Sequence, residues 1–218
     1  MKIRAVLVSG FLLTLALDAG ATTINYTSSA AFFAALAGGT VTTETYEGLP
    51  LNSIIADGTT VDNITYNSFP AGADGRVTNE FGAIGTQSLA LIRPGGPNFF
   101  INNEGMTVTF PFAVNSVGIF FNVGVSPVNT LQVLTAVANA GNGPTYDQST
   151  LYFVGLISDS VTFNSATFRG VTGITTGFNL DNLSYGNAAA AAAVPEPTTL
   201  LLFGAGVLAL IRSRRRKQ

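Results

Sequence analysis

From residue 40 to residue 185, apolar and polar positions alternate in short runs, and most runs are closed by Gly, Pro or Asn. Met106-Thr107-Val108-Thr109-Phe110 puts its apolar residues on one face and its threonines on the other, the period of a half-buried strand. Pro111 is expected to end it. Val114 to Asn122 is more uniformly apolar and reads as a central strand. Leu131, Val133, Thr135 and Val137 alternate again, and Asn139-Ala140-Gly141-Asn142-Gly143-Pro144 turns the chain. Thr150 to Ile157 and Val161 to Phe168 flank Ser158-Asp159-Ser160, the pattern of a hairpin.

Upstream, Thr40 to Glu47 is rich in β-branched residues and reads as a strand ending at a Gly48-Leu49-Pro50 turn. Val61 to Tyr66 and Ser88 to Ile92 are further strands. Phe178 to Tyr185 is the last. Its apolar parity slips between Leu180 and Leu183, which predicts a bulge at Asp181-Asn182. One helix is expected, over Ala30 to Ala37, capped by Thr27-Ser28-Ser29 and stopped by Gly38-Gly39. Short strands at regular spacing with Gly, Pro and Asn turns predict an all-β chain, a jelly-roll-like antiparallel β-sandwich of about eight to ten strands with one short N-terminal helix.

The two ends follow other patterns. Met1-Lys2-Ile3-Arg4 is basic, Ala5 to Leu17 is apolar, and Ala19-Gly20-Ala21 is small-x-small. This is the layout of a secretory signal, with cleavage by signal peptidase expected after Ala21. The body then runs from 22 to 187, and the alanine-rich stretch 188–193 is a linker. Val194-Pro195-Glu196-Pro197 follows, then an apolar run from Thr198 to Ile211, then Arg212, Arg214, Arg215, Arg216 and Lys217. A helix rises about 1.5 Å per residue and a hydrocarbon core is about 30 Å thick, so the run is somewhat short for a full span. Local thinning and snorkelling basic side chains make a transmembrane helix tolerable. The basic cluster predicts a cytoplasmic C-terminus with the body outside.

The order Pro-Glu-Pro, hydrophobic helix, basic tail over residues 194–218 resembles the PEP-CTERM sorting signal of exopolysaccharide-producing Gram-negative bacteria. The resemblance implies an inner-membrane intermediate, cutting near Pro195-Glu196-Pro197 by an exosortase-type enzyme, and a destination at the cell surface or in the extracellular matrix. A permanent, uncut anchor is the other reading of the same tail.

Composition changes meaning once the ends are set aside. The chain carries −2 overall, but only Arg76, Arg93 and Arg169 among its basic residues lie in the body, against ten acids, which leaves −7 there. An acidic surface repels nucleic acid, so none is expected as a partner. Cysteine, histidine and tryptophan are absent. That excludes Ser-His and Cys-His catalysis and His- or Cys-based zinc sites. Without disulfides, a secreted domain is held by its core alone.

One constellation remains. Thr45-Tyr46-Glu47-Gly48 near the first strand and Leu180-Asp181-Asn182-Leu183 in the last resemble the paired strands of calcium-bearing carbohydrate-binding sandwiches. The resemblance implies that the two strands lie side by side and that Glu47 and Asp181, with Asn182 or backbone oxygens, share a structural Ca²⁺. Exposed strand-end charges are the plainer reading.

Sugar platforms would need aromatic faces. Tyr66, Tyr146, Tyr152 and Phe99-Phe100 are candidates, but core or turn is the plainer reading of each, and none is named as a sugar-binding residue. A glycosidase would need two facing acids, and Glu104 and Asp147 are the pair to examine. The function expected is therefore a non-catalytic exported surface or matrix protein associated with exopolysaccharide or biofilm matrix. A carbohydrate-binding module that binds extracellular polysaccharide is the alternative, and a glycosidase the remote one.

Overall fold

Period-two alternation becomes two layers of antiparallel strands. The computed structural model describes residues 22–80, 84–101, 103–123, 131–142, 146–148, 151–170 and 177–189, with the side chains of 123 and 141–148 left aside. The signal peptide, most of the linker and the sorting tail expected from the sequence lie outside these residues. Among the described residues no helix is long and apolar enough to cross a membrane.

The elements are β1 Thr23–Tyr26, α1 Ser29–Ala35, β2 Thr40–Glu44, β3 Ile54–Ile55, β4 Thr59–Val61, β5 Ile64–Asn67, β6 Asp74–Thr78, β7 Ser88–Ile92, β8 Gly105–Val114, β9 Ser116–Val123, β10 Leu131–Thr135, β11 Asn139–Asn142, β12 Tyr146–Gln148, β13 Leu151–Ser158, β14 Phe163–Gly170 and β15 Phe178–Asn187. One sheet runs β1-β13-β9-β15-β7-β6-β3, with β12 also on β13 and β2 also on β15. The second runs β11-β10-β14-β8-β5-β4. The segments outnumber the strands expected because several, such as β3 and β4, are only two or three residues long.

Facing side chains explain why the layers stay together. Val117, Ile119 and Phe121 of β9 and Val154 and Leu156 of β13 join Met106, Val108 and Phe110 of β8 and Phe168 of β14 in one buried cluster. Phe110 stacks on Tyr185 of β15 at 4.9 Å between ring centroids. A smaller cluster lies on the outer face of the first sheet. There α1, capped by Ser28 Oγ accepting the Ala31 N–H at 3.3 Å, lays Phe32 and Leu36 against Phe120, Leu151, Phe153 and Ile157. Phe32 fits because β9 and β13 offer Gly118 and Gly155 beneath it, where a Cβ would strike Phe32 and Phe153.

Several local expectations are corrected. The 158–160 turn is not a hairpin: β13 belongs to the first sheet and β14 to the second, so the turn crosses between layers. Ser158 pairs with Thr23 of β1, and β13 lies between β9 on one side and β1 and β12 on the other. Pro111 does not end its strand. The β14–β8 register shifts between Ser165, opposite Thr109, and Phe163, opposite Val114, and Pro111 lies in the extra length, where no ladder N–H is required.

Val61 to Tyr66 is two strands, β4 and β5. They are joined by Asp62 and Asn63, at φ 48 and φ 68, and these two left-handed residues close a tight hairpin. Residues 139–142 form β11 rather than a turn, because Thr135 Oγ1 gathers the N–H groups of Val137 and Ala138 and reverses the chain earlier. The strand expected over 40–47 stops at Glu44.

Candidate functional site

The last strand carries the site because its neighbours change halfway along it. On one side β15 pairs with β9 from Phe178 to Gly186. On the other it meets β7 at Leu180 and β2 from Leu183 to Asn187. Asp181 and Asn182 sit at the changeover. Asp181 faces Phe120 and Ser184 faces Gly118, so three steps of β15 match two of β9, and Asn182 takes φ 45°. This is the bulge that the parity slip predicts. Asparagine tolerates the left-handed conformation better than most residues.

Asp181 follows the core-facing Leu180 and lies opposite Phe120 of the outer cluster, so it points away from the main core, yet it is fully buried. Its Oδ1 accepts the Asn182 N–H at 2.7 Å and its Oδ2 the Ile84 N–H at 2.7 Å. The Ile84 side chain packs on the Phe32 cluster. Two residues earlier on β15, Asn179 Nδ2 donates to the Glu80 carbonyl at 3.3 Å and to Ser88 Oγ at 3.3 Å. Side chains of β15 thus hold positions 80, 84 and 88 of the chain leading into β7. Burial pushes the Asp181 carboxyl up to about 7; its two N–H donors oppose the shift and the Glu47 carboxylate adds to it.

Glu47 reaches the same place from the other side. Glu44 at the end of β2 is buried, and its Oε1 accepts the Tyr46 N–H at 2.6 Å. Tyr46 turns to φ 62° and buries its ring 6.5 Å from that of Tyr66, which throws Glu47 off the strand into the loop. There its carboxylate accepts the N–H groups of Thr86 at 2.6 Å and Gln87 at 2.8 Å, and the Thr86 hydroxyl at 2.6 Å. These donors hold it below the usual carboxylate range, the hydroxyl contributing most. Gly85, at φ 86°, permits the approach, because a Cβ there would collide with the Glu47 carboxylate. Glu44 is raised by burial, with Asp62 adding to the shift.

β2, which ends three residues before Glu47, lies beside the strand carrying Asp181, with Leu183 opposite Glu44, and the Glu47 carboxylate acts on that of Asp181. Asn182 Oδ1 is buried without a hydrogen-bond partner among the described residues. A hard cation takes about six to eight oxygens, more than these three side chains carry, and all four carboxylate oxygens of Asp181 and Glu47 already accept N–H or O–H donors. The remaining oxygens would have to come from backbone or water. Among the described residues no group of three or more acidic side chains is placed to hold a metal. The residues that sequence reasoning missed are Ile84, Thr86 and Gln87. All three act through backbone N–H groups, which leave no side-chain signature, and Thr86 also through its hydroxyl, one among many in a threonine-rich chain; Gly85 is the one visible trace.

The other candidates are placed elsewhere. Tyr66, Tyr152 and Phe100 are buried in the core, and Phe99 is partly buried. Tyr146 and Asp147 have side chains outside what the structure describes. Glu104 is bound on both carboxylate oxygens by the Arg93 guanidinium, each bond 2.7 Å, and Oε2 also accepts the Ile101 N–H at 2.7 Å. It ties the 101–104 loop to Arg93.

Among solved structures, a mutant of a carbohydrate-binding module of family 29 aligns with 72% of this chain and 100% of its own, at 11% identity and a TM-score of 0.31. A second family 29 module aligns with 74% of this chain and 97% of its own, at 13% identity and a TM-score of 0.29. No curated protein matches. Positions 194–197, 212, 214–217, 19 and 21 lie outside the described residues, but the C-terminal ones are assigned by sequence: residues 193–217 match the PEP-CTERM protein-sorting motif, the signal of a sorted, exported protein of Gram-negative bacteria.

Proposed function

We propose that this protein is a non-catalytic component of the cell surface or extracellular matrix, delivered there by its C-terminal signal and associated with exopolysaccharide. The observation that carries the reading is the sorting motif at residues 193–217 behind a folded all-β body. Signal peptidase removes residues 1–21. The apolar run from Thr198 to Ile211 holds an inner-membrane intermediate, with Arg212 and the basic residues after it in the cytoplasm. An exosortase-type enzyme then cuts near Pro195-Glu196-Pro197, where two prolines keep the backbone extended. A structural Ca²⁺ at Glu47, Asp181 and Asn182 belongs to the same proposal, since a cation would offset the repulsion between the carboxylates.

One observation favours the carbohydrate-binding alternative. The outer face of the second sheet is uncharged over Thr60, Thr65, Asn67, Thr107, Thr109 and Thr167, with Thr60 on Thr65 and Thr107 on Thr167 at 2.8 Å. Hydroxyls and an amide on one face suit a neutral glycan, although each threonine also suits an exposed strand. Retention of the exported protein on an immobilised preparation of the host's own exopolysaccharide, abolished by T107V/T167V, would favour binding. No retention would leave the structural reading.

A further inference from the structure

We propose that Thr22 is the first residue of the processed chain and that Asp159 is the receptor for its α-ammonium group. The geometry is specific to one residue. Thr22 N–H donates to Asp159 Oδ1 at 2.9 Å, and the Thr22 hydroxyl donates to Oδ2. The Asp159 N–H in turn donates to the Thr22 carbonyl at 3.1 Å. One aspartate thus engages the nitrogen, hydroxyl and carbonyl of a single threonine. It is held in place by its neighbour Ser158, which pairs with Thr23 in the first rung of β1 on β13.

In an uncut chain this contact is modest, since an amide offers the carboxylate one hydrogen and no charge. Hydrolysis of the Ala21–Thr22 bond changes that. Water adds across the bond, its hydroxyl going to the Ala21 carbonyl carbon and its hydrogen to the Thr22 nitrogen; a solvent proton then makes the ammonium. The nitrogen stays where Oδ1 already accepts from it, now with a full charge and two further hydrogens. Thr22 and Asp159 are both exposed, so the nitrogen that cleavage frees lies at the surface. The small-x-small run Ala19-Gly20-Ala21 directly precedes it. Asp159 is the one charged side chain of the adjoining cleft, with Tyr26 its other titratable group. Hydroxyls of Thr22 and Ser160 already hold the carboxyl below its ordinary value. Cleavage therefore docks the new terminus against β13 instead of leaving it loose.

The sign of the pH effect follows. An α-amino group titrates near about 7.7–8 when unperturbed, and a carboxylate partner raises that value. The pair contributes stability below about pH 7.7, and that stability is lost as pH rises through the raised value. The full chain should be exported from a Gram-negative host and the purified product identified by intact mass. Competitive acetylation of its α-amine against pH then reads the midpoint directly. The expected product begins at Thr22, with a midpoint raised by about half a unit, roughly a threefold gain in proton affinity for an exposed pair, and the gain disappears in D159N. Should D159N fail to fold, the wild-type midpoint against that of the urea-unfolded protein decides alone. A product retaining Met1, one starting at another residue, or a wild-type midpoint equal to the unfolded one overturns the proposal.

Discussion

Asp181 shows what a single residue can reveal. A carboxyl held at about 7 binds its proton more tightly in the fold than in the unfolded chain, where it titrates near about 3.9. Its contribution to stability is present below about pH 4 and is lost as pH climbs towards 7, up to roughly 4 kcal/mol in all. Glu44 pulls the same way, whereas the depressed carboxyls of Glu47 and Asp159 act in the opposite sense below about pH 4.5. In calcium-free buffer the thermal midpoint should therefore fall between pH 5 and 8, and D181N should remove most of that slope. Equal slopes in both proteins would rule out Asp181 as the source. Millimolar Ca²⁺ at pH 8 should restore the midpoint of the wild type but not of D181N, and no restoration would end the calcium proposal. Part of this was legible beforehand: the parity slip between Leu180 and Leu183 places the bulge. The N–H groups of Ile84, Thr86 and Gln87 were not, because every residue except proline has one.

At the scale of elements, pairing depends on more than alternation. The 158–160 turn reads as a hairpin from its flanks, but β1, near the other end of the chain at Thr23, claims the edge of β13. A short strand that far away carries no local signal. The docking of α1 is legible only in part, since Ser28 marks the cap while nothing marks Gly118 and Gly155 as the floor for Phe32. That floor is testable. G118A and G155A should each destabilise by about 1–3 kcal/mol through overpacking, and F32A by about 3–5 kcal/mol through the cavity. In urea titrations G155A should cost less on the F32A background, because Phe32 is one of the two rings that the added Cβ would strike. Strict additivity would mean that Phe153 alone bears the strain. The β4–β5 hairpin offers a simpler case. N63G should be neutral or slightly stabilising and N63V destabilising, since only the branched side chain resists the left-handed backbone that Asn63 adopts.

On the scale of the whole molecule, both ends of the folded body meet at one cleft of about 220 Å³, lined by Ile24 and Tyr26 near the N-terminus and by Ala188 and Ala189 at the other end. Asn115 joins them: its Oδ1 accepts the Ala188 N–H at 2.8 Å, and its carbonyl accepts the Ser158 N–H at 2.8 Å. The chain thus enters the body at Thr22 and leaves it at Ala189 on the same end of the sandwich. A body tethered at one end can turn its opposite end and both outer faces away from the membrane. The −7 charge of the body disfavours contact with an anionic bilayer in the same way. If cutting at Pro-Glu-Pro releases this body, replacing Pro195-Glu196-Pro197 by three alanines should hold it back. In cells with an exosortase-type enzyme, the wild type should be recovered from the surface or medium fraction without residues beyond about Pro197. The triple variant should stay in the inner-membrane fraction with Gln218 intact. A wild type that also keeps Gln218 would make the tail a plain anchor, and the matrix reading would lose its support even though the fold and the Thr22 clamp were unchanged.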